Sequence, residues 1–433
     1  DASINPGNSG GPLYDAEGRL LGIVGRASFE KRGRVNVGVG YAISINQAKN
    51  FIGTLRSGRI VDHATLGATV ATEPDGGVSV SNILESSDAY RRGLRYGAEI
   101  LEIDGRVVRT ANDVQNVLAT FPSGWRVKIT YRLDGQTQNT LVRLMSVHRE
   151  DELLAKMSAA LPPPPPRREK APREGEGEKD DGEKGDDSEG PDEEKKDDPH
   201  RKEASKSKIP KIVQDQLIER KGYANYYFNE LQQQRFIDGL RAQYPQGSEG
   251  ERVEWVIEAE TDDQPAVPAR IRVASGEMGM IVGEMAIEAS TKGELYDGVD
   301  AKTIAGILPA LDAWRRMIDD GPKKFGESFY LGTMPLGGDR PLRDCMVGID
   351  GELEVRWLCD ADSGVVEAVE VFADRDEDPA ELWVFRDSPR DAMPSRLELR
   401  YGMETVLTLR IKSWIASPTS EASAEDAAGE DSQ

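Results

Sequence analysis

Residues 1–25 read DASINPGNSGGPLYDAEGRLLGIVG, and the run Gly7-Asn8-Ser9-Gly10-Gly11-Pro12 decides how the N-terminal part of the chain is understood. A serine set between glycines is a familiar setting for a nucleophile. Gly7-x-Ser9-x-Gly11 fits the nucleophile elbow of α/β-hydrolases in form, but that elbow needs a strand before it and a helix after it. Here Pro6 closely precedes the serine and Pro12 opens a hairpin, so the elbow reading fails on its flanks. A tight turn is the plain alternative. Downstream, GRLLGIVG and VNVGVGYAIS alternate Gly-rich turns with β-branched runs, which is antiparallel strand chemistry. A short helix follows over Asn46 to Leu55.

The 433 residues are enough for two or three domains, and the formal charge of -22 excludes nucleic acid as the expected partner. No apolar run approaches the roughly 18 residues that span a bilayer. The two cysteines, Cys345 and Cys359, make no disulfide framework. They flank GIDGELEVRWL, read as a hairpin turning at Asp350-Gly351. That register sets Cys345 opposite Arg356 and Cys359 opposite Leu342, so the thiols are expected half-buried, unpaired and on opposite faces.

Residues 64–147 form a second unit with the strands GGVSVSNI, EILEIDGRVV, RVKITYRL and NTLVRLM. Its helix ANDVQNVLATF places Val114, Val117, Leu118 and Phe121 at helical spacing. The 48 residues from Leu161 to Lys208 hold a run of five prolines and then charge with glycine. They cannot bury enough apolar area to offset conformational entropy, and read as a linker spanning roughly 40 Å. Cutting there would release a folded piece beginning near Ile209. Beyond it a polar helix is expected over residues 212–240, then several strands, a helix in AKTIAGILPALDAWRRMID, and more strands, which is an α+β pattern. The cluster Tyr223, Tyr226, Tyr227 and Phe228 reads as a buried helix face. No metal-ligand spacing occurs, no cofactor is implied, and no motif assigns residues 209–415 a function.

DASINPGNSGGPL, with GRLLGIVG and GVGYAIS after it, closely resembles the active-site segment of the HtrA (Deg) serine proteases. Ser44 stands where that family more often has proline. The resemblance, over about the first 147 residues, implies Ser9 as nucleophile and the backbone N–H groups of Gly7 and Ser9 as the oxyanion hole. It places Ala2, Ser3 and Ile4 on the floor of a specificity pocket suited to a small or medium apolar side chain. The family's order is His, Asp, Ser, and His63, His148 and His200 all follow Ser9. The base and its aspartate are therefore expected upstream of Asp1, which makes these residues an open fragment of a protease.

Residues 64–147 resemble a PDZ domain of the bacterial HtrA type. The resemblance makes Thr65-Leu66-Gly67-Ala68 the carboxylate-binding loop and sets Val114 and Leu118, divided between core and groove, on the helix that walls the peptide groove. The fold class expected is mixed and multidomain. It comprises the C-terminal part of a chymotrypsin-like β-barrel (1–57), a PDZ domain (64–147), an acidic disordered linker (158–208), an α+β domain with an antiparallel sheet (209–415), and a disordered acidic tail (416–433). The resemblance implies an extracytoplasmic serine endopeptidase acting on unfolded or damaged polypeptides. Its PDZ domain would take peptides with free apolar C-termini, and homo-oligomers would form through the N-terminal part. The alternative is a non-catalytic PDZ scaffold with a degenerate protease domain, although a decayed site has no chemical reason to keep this serine.

Overall fold

The computed structural model describes residues 8–29, 36–160, 211–243, 253–290, 296, 299–388, 391 and 393–418. The expected linker beyond residue 160 and the tail beyond residue 418 lie outside the described residues. Strands β1 (Pro12–Tyr14), β2 (Leu20–Phe29) and β3 (Asn36–Ser44) form an antiparallel sheet, followed by helix α1 (Ile45–Arg56). Ser44 caps that helix, its Oγ accepting the Gln47 N–H at 3.2 Å. A serine there satisfies an amide that helix geometry leaves without a partner. The departure from proline thus gains a cap.

The second unit comprises β4 (Ala64–Thr65), β5 (Ala68–Thr72), β6 (Val78–Ile83), α2 (Asp88–Arg91), β7 (Glu99–Ile103), β8 (Arg106–Val107), α3 (Ala111–Leu118), β9 (Arg126–Leu133), β10 (Gln136–Arg143) and β11 (Met145–Ser146). The main sheet runs β10-β9-β7-β6-β5, with β8 on β7, while β11 pairs with β4. A capping box starts α3: Thr110 Oγ1 accepts the Asp113 N–H and Asp113 accepts the Thr110 N–H. Val114, Val117, Leu118 and Phe121 of the anticipated stripe are all buried.

Helix α4 (Glu150–Ala160) follows. It carries helix through residues 158–160, which were expected to begin the linker. Acidic residues in its first turn and a Leu-Leu-Ala-Lys-Met body favour helix there. The helix expected over 212–240 is instead two, α5 (Lys211–Gln214) and α6 (Tyr227–Gln243). Asn225 explains the break: its Oδ1 accepts the N–H groups of both Ile218 and Tyr227, at 3.0 and 3.1 Å. That bonding competes with helix. Tyr226 is buried, but Phe228 is 47% exposed, so the aromatic cluster is not one buried face.

The remaining strands are β12 (Val253–Thr261), β13 (Pro268–Ala274), β14 (Glu277–Val282), β15 (Met285–Ser290), β16 (Glu327–Leu336), β17 (Asp339–Asp350), β18 (Leu353–Cys359), β19 (Val366–Phe372), β20 (Ala380–Phe385), β21 (Arg396–Tyr401) and β22 (Glu404–Pro418), with helix α7 (Ile307–Asp319) between β15 and β16. They form one 11-stranded antiparallel sheet in the order β15-β14-β13-β12-β22-β21-β20-β19-β18-β17-β16. Its last strand extends over residues 416–418, assigned from sequence to the tail, because Ala416, Ser417 and Pro418 pair with Trp255, Glu254 and Val253.

This sheet has two regimes. On β13 buried and exposed residues alternate, as on a sheet with one wet face. Every residue of β18 is buried. One side of the sheet packs on α7, through residues such as Trp314, Trp357 and Leu399. The other side, over β16–β19, shares a core with the second unit through Met334, Leu336, Cys345, Val347, Leu358 and Ala368.

The cysteine hairpin turns one residue later than expected, at Gly351-Glu352, because Asp350 pairs with Leu353. Cys345 therefore faces Leu358, and Cys359 faces Asp344. The thiols are unpaired and on opposite sides of the sheet, yet fully buried rather than half-buried, because both sides are covered. Burial pushes both thiols above their ordinary range.

Candidate functional site

Ser9 stands exposed at the apex of a turn. The Gly11 N–H donates to Asn8 O at 2.9 Å and closes it. Gly10, at φ +84°, supplies the left-handed residue that the turn needs and that other side chains resist. The turn is then fastened to β2: Gly10 N–H donates to Val24 O at 2.8 Å, and Val24 N–H to Gly11 O at 2.9 Å. The serine hydroxyl is thus held on a fixed loop and presented outward. Gly7, Ala2, Ser3 and Ile4 lie outside the described residues.

No described histidine serves Ser9 through the contacts it makes. His63 Nδ1 lies 3.0 Å from Ala119 O, with its ring edge-on to Phe51 at 5.1 Å. His148 Nδ1 lies 3.1 Å from Asp62 Oδ2, and its backbone N–H donates to the same oxygen at 2.6 Å. His200 is outside the described residues. The two placed histidines work at the junction of the units, where buried Asp62 also accepts the His63 N–H at 2.9 Å. Asp62 thereby ties the start of the second unit to its end.

Burial pushes the Asp62 carboxyl up, but the amide and ring contacts of His148 and the amide of His63 outweigh it and hold it below the ordinary value. A depressed folded pKa gives stability that is present above the unfolded value, about 3.9, and lost as pH falls through the folded one. Asp62→Asn is expected to cost about 1–3 kcal/mol near neutrality. The difference from the parent chain should shrink below about pH 4. Denaturant titrations across that range check it, and a pH-independent difference would contradict the assignment.

In the second unit β5 is an edge strand, and α3 packs beside it. Leu84 N–H donates to Gly67 O and Ala68 sits opposite Ile83, so ladder alternation turns the Ala68 N–H toward the open edge. Of the expected loop donors, Gly67 N–H is already given to Thr65 Oγ1 at 3.2 Å. The donor set is therefore smaller than the sequence suggests, because a threonine hydroxyl lies within reach. Leu66 is 1% exposed beneath the loop, and Val114 and Leu118 lie in the core rather than half in an open groove, while Ala68 and Val70 are half-buried. At the far end of β5, Thr72 Oγ1 accepts the Ala111 N–H at 2.9 Å and ties the strand to the start of α3. Sequence reading missed Thr72, although a threonine ending an edge strand was the visible signal.

Among the described residues no cluster of three or more His, Cys, Asp or Glu side chains could hold a metal ion. No described helix is long and apolar enough to cross a membrane. Residues 56–132 match the family model of the PDZ domain. A probable periplasmic serine endoprotease, DegP-like, of Rickettsia prowazekii is 29% identical over 161 residues, which are 35% of this chain and 31% of that one. A serine protease Do-like HtrA of Lactococcus lactis is 31% identical over 162 residues, 33% of this chain and 40% of the relative. The chain spans about a third of the length of the curated relatives it matches. Among solved structures, an HtrA-type protease AlgW with tripeptide is 30% identical, covering 35% of this chain and 53% of that chain at a TM-score of 0.27.

Proposed function

We propose that this chain, which is an HtrA-type serine protease sequence with a PDZ domain, carries the nucleophile of a peptide-bond hydrolase whose PDZ groove receives the ends of its polypeptide substrates. The observation that carries this reading is Ser9, exposed on a turn closed by Gly11 and locked to Val24. A hydroxyl so placed attacks a carbonyl only with a base beside it. His63 and His148 are engaged at Ala119 and Asp62, so the histidine and aspartate are supplied from outside the residues described here. The N–H groups of Gly7 and Ser9 would hold the oxyanion, and Ala2, Ser3 and Ile4 would line an apolar pocket for the residue before the cleaved bond. Relatives named as periplasmic endoproteases support an extracytoplasmic setting. Exposed apolar side chains on the N-terminal sheet, Tyr41 at 61% and Ile43 at 46%, fit a surface that the rest of a protease domain would cover.

A fluorophosphonate probe tests the hydrolase reading. In a chain joined to a barrel bearing the histidine and aspartate, the label is expected on Ser9. Labelling elsewhere, or none, favours the scaffold reading instead. For the groove, peptides ending in a free carboxylate after Val, Leu, Ile or Phe are expected to bind with micromolar affinity, on the order of -8 kcal/mol. Amidation removes charge-assisted hydrogen bonds of roughly 1.5–3 kcal/mol, so affinity should fall at least about tenfold. Calorimetry with acid and amide forms of one peptide decides this. Equal affinity would mean that the loop does not capture termini.

A further inference from the structure

The second side of the 11-stranded sheet carries a row of charged residues that are nearly inaccessible: Glu354, Arg356, Glu370, Glu381 and Glu398. Buried charge persists only where it is paired. Glu354 pairs with Arg356 and Arg375, and Glu398 with Arg396 and Arg400, all within the C-terminal sheet, whereas Glu370 and Glu381 are met from the PDZ domain. Arg126 on β9, itself buried, reaches Glu381 and lies 3.5 Å from Glu370 and 3.1 Å from Asp378. Arg92 meets the same Asp378, and Arg91 lies 3.0 Å from Asp376. Arg143 stacks on Phe372 at 4.4 Å, with Arg356 also 4.8 Å from that ring. At the rim, Lys128 Nζ lies 2.6 Å from Asp339 Oδ1. Around these charges is the apolar core shared with β16–β19.

The same sheet also grips α1. Helix and strand approach so closely that a Cβ on Gly53 would lie 2.5 Å from the Thr333 backbone nitrogen. Three units meet at Asn50, which is fully buried in α1. Its Nδ2 donates to Thr120 O, just past the groove helix, at 2.8 Å, and its Oδ1 accepts from Arg340 Nη2 at 2.7 Å. The interface uses β9 and β10, at the opposite end of the PDZ sheet from the edge strand β5.

We propose that the C-terminal domain is an internal clamp that holds the PDZ domain in one orientation against the helix ending the serine-bearing unit, while leaving the peptide edge open. It supplies the covering face and the counter-charges for a domain that a single connecting segment would otherwise leave to swing. A peptide would bind a PDZ domain already fixed in place. This inference does not depend on Ser9 being catalytic.

The full chain tests it through a site-specific protease sequence placed between residues 161 and 208. After cleavage, the two pieces are expected to co-elute in size exclusion as one species with the volume of the uncut chain. Asp339→Lys, which sets two exposed lysines against each other at the rim, is expected to raise the dissociation constant of the pieces several-fold. Adding Lys128→Glu restores the opposite charges and should return it toward the parent value. Both substitutions are exposed, so folding of the separate units is not at risk, and circular dichroism checks it. Cut pieces that separate as two folded species overturn the proposal. A dissociation constant indifferent to the reversal, or a reversal that the second substitution does not rescue, overturns it too.

Discussion

Ser9→Ala, in a chain joined to the histidine- and aspartate-bearing part of a protease, is expected to lower kcat by on the order of 10^6-fold and to leave KM within a few-fold. The size follows from the chemistry. Without the hydroxyl no acyl-enzyme forms, and what remains is attack by water on a carbonyl held in the oxyanion hole, worth about 10^3–10^4 over the uncatalysed reaction. KM changes little because Ser9 sits at the apex of its turn and the clamp holding that turn is backbone: Gly11 to Asn8, Gly10 to Val24, and Val24 to Gly11. Alanine leaves all three bonds in place. Single-turnover hydrolysis of a fluorogenic peptide measures the rate. Retention of more than about 1% of the parent kcat, against the expected 10^6-fold loss, would show that another group is the nucleophile.

Arg126→Met carries the second large effect. The substitution keeps an unbranched, apolar stem and removes the one guanidinium that touches Glu370, Glu381 and Asp378 together. Two of those carboxylates are 1% exposed. Leaving buried charge unpaired costs about 3–5 kcal/mol. Burial and the neighbouring Glu381 already raise the Glu370 pKa in the intact protein, with Arg126 opposing them. Removing Arg126 raises it further, so the carboxyl takes a proton more readily. A raised folded pKa gives stability that is full below the unfolded value and lost as pH rises through the folded one. The penalty of Arg126→Met is therefore expected to be largest at neutral pH and smaller in mild acid. Adding Glu381→Gln should recover part of it, because the defect is unpaired charge and not lost volume. Denaturant unfolding of the full chain across pH measures both. A cost under about 1 kcal/mol at pH 7 would mean that water reaches these carboxylates.

How much of this was legible in the sequence depended on how local the cause was. The turn at Ser9, the strands after it and the stripe on α3 were readable because glycine conformation and helical spacing act over a few residues. The break between α5 and α6 was not, because apolar spacing continued through a segment where the Asn225 side chain bonds the backbone on both flanks. The charged row was legible as residues but not as a buried face. In LEVRWLC the charges at Glu354 and Arg356 alternate with apolar residues, which ordinarily marks a strand with one wet side. Only a second domain lying across that side makes them interior, and no pattern within a single strand reports it. The contact at Gly53 is of the same kind, since its partner Thr333 is 280 positions away in the chain.

The contact between Arg126 and Glu381 closes a chain loop of 255 residues, and that between Arg92 and Asp378 one of 286. In polymer terms such loops are tolerated more easily than their length suggests, since each doubling adds only about 0.6 kcal/mol of closure entropy. Time is the scarcer quantity. A chain made from its N-terminus presents the PDZ domain well before β20 exists, so the arginines wait in water while the carboxylates are still being synthesised. The strands β16–β19, once made, show an apolar and charged face that only an already folded neighbour can cover. The PDZ domain is thus the earlier-made partner in these contacts, and pairing across so many residues is of the non-local kind that generally forms slowly.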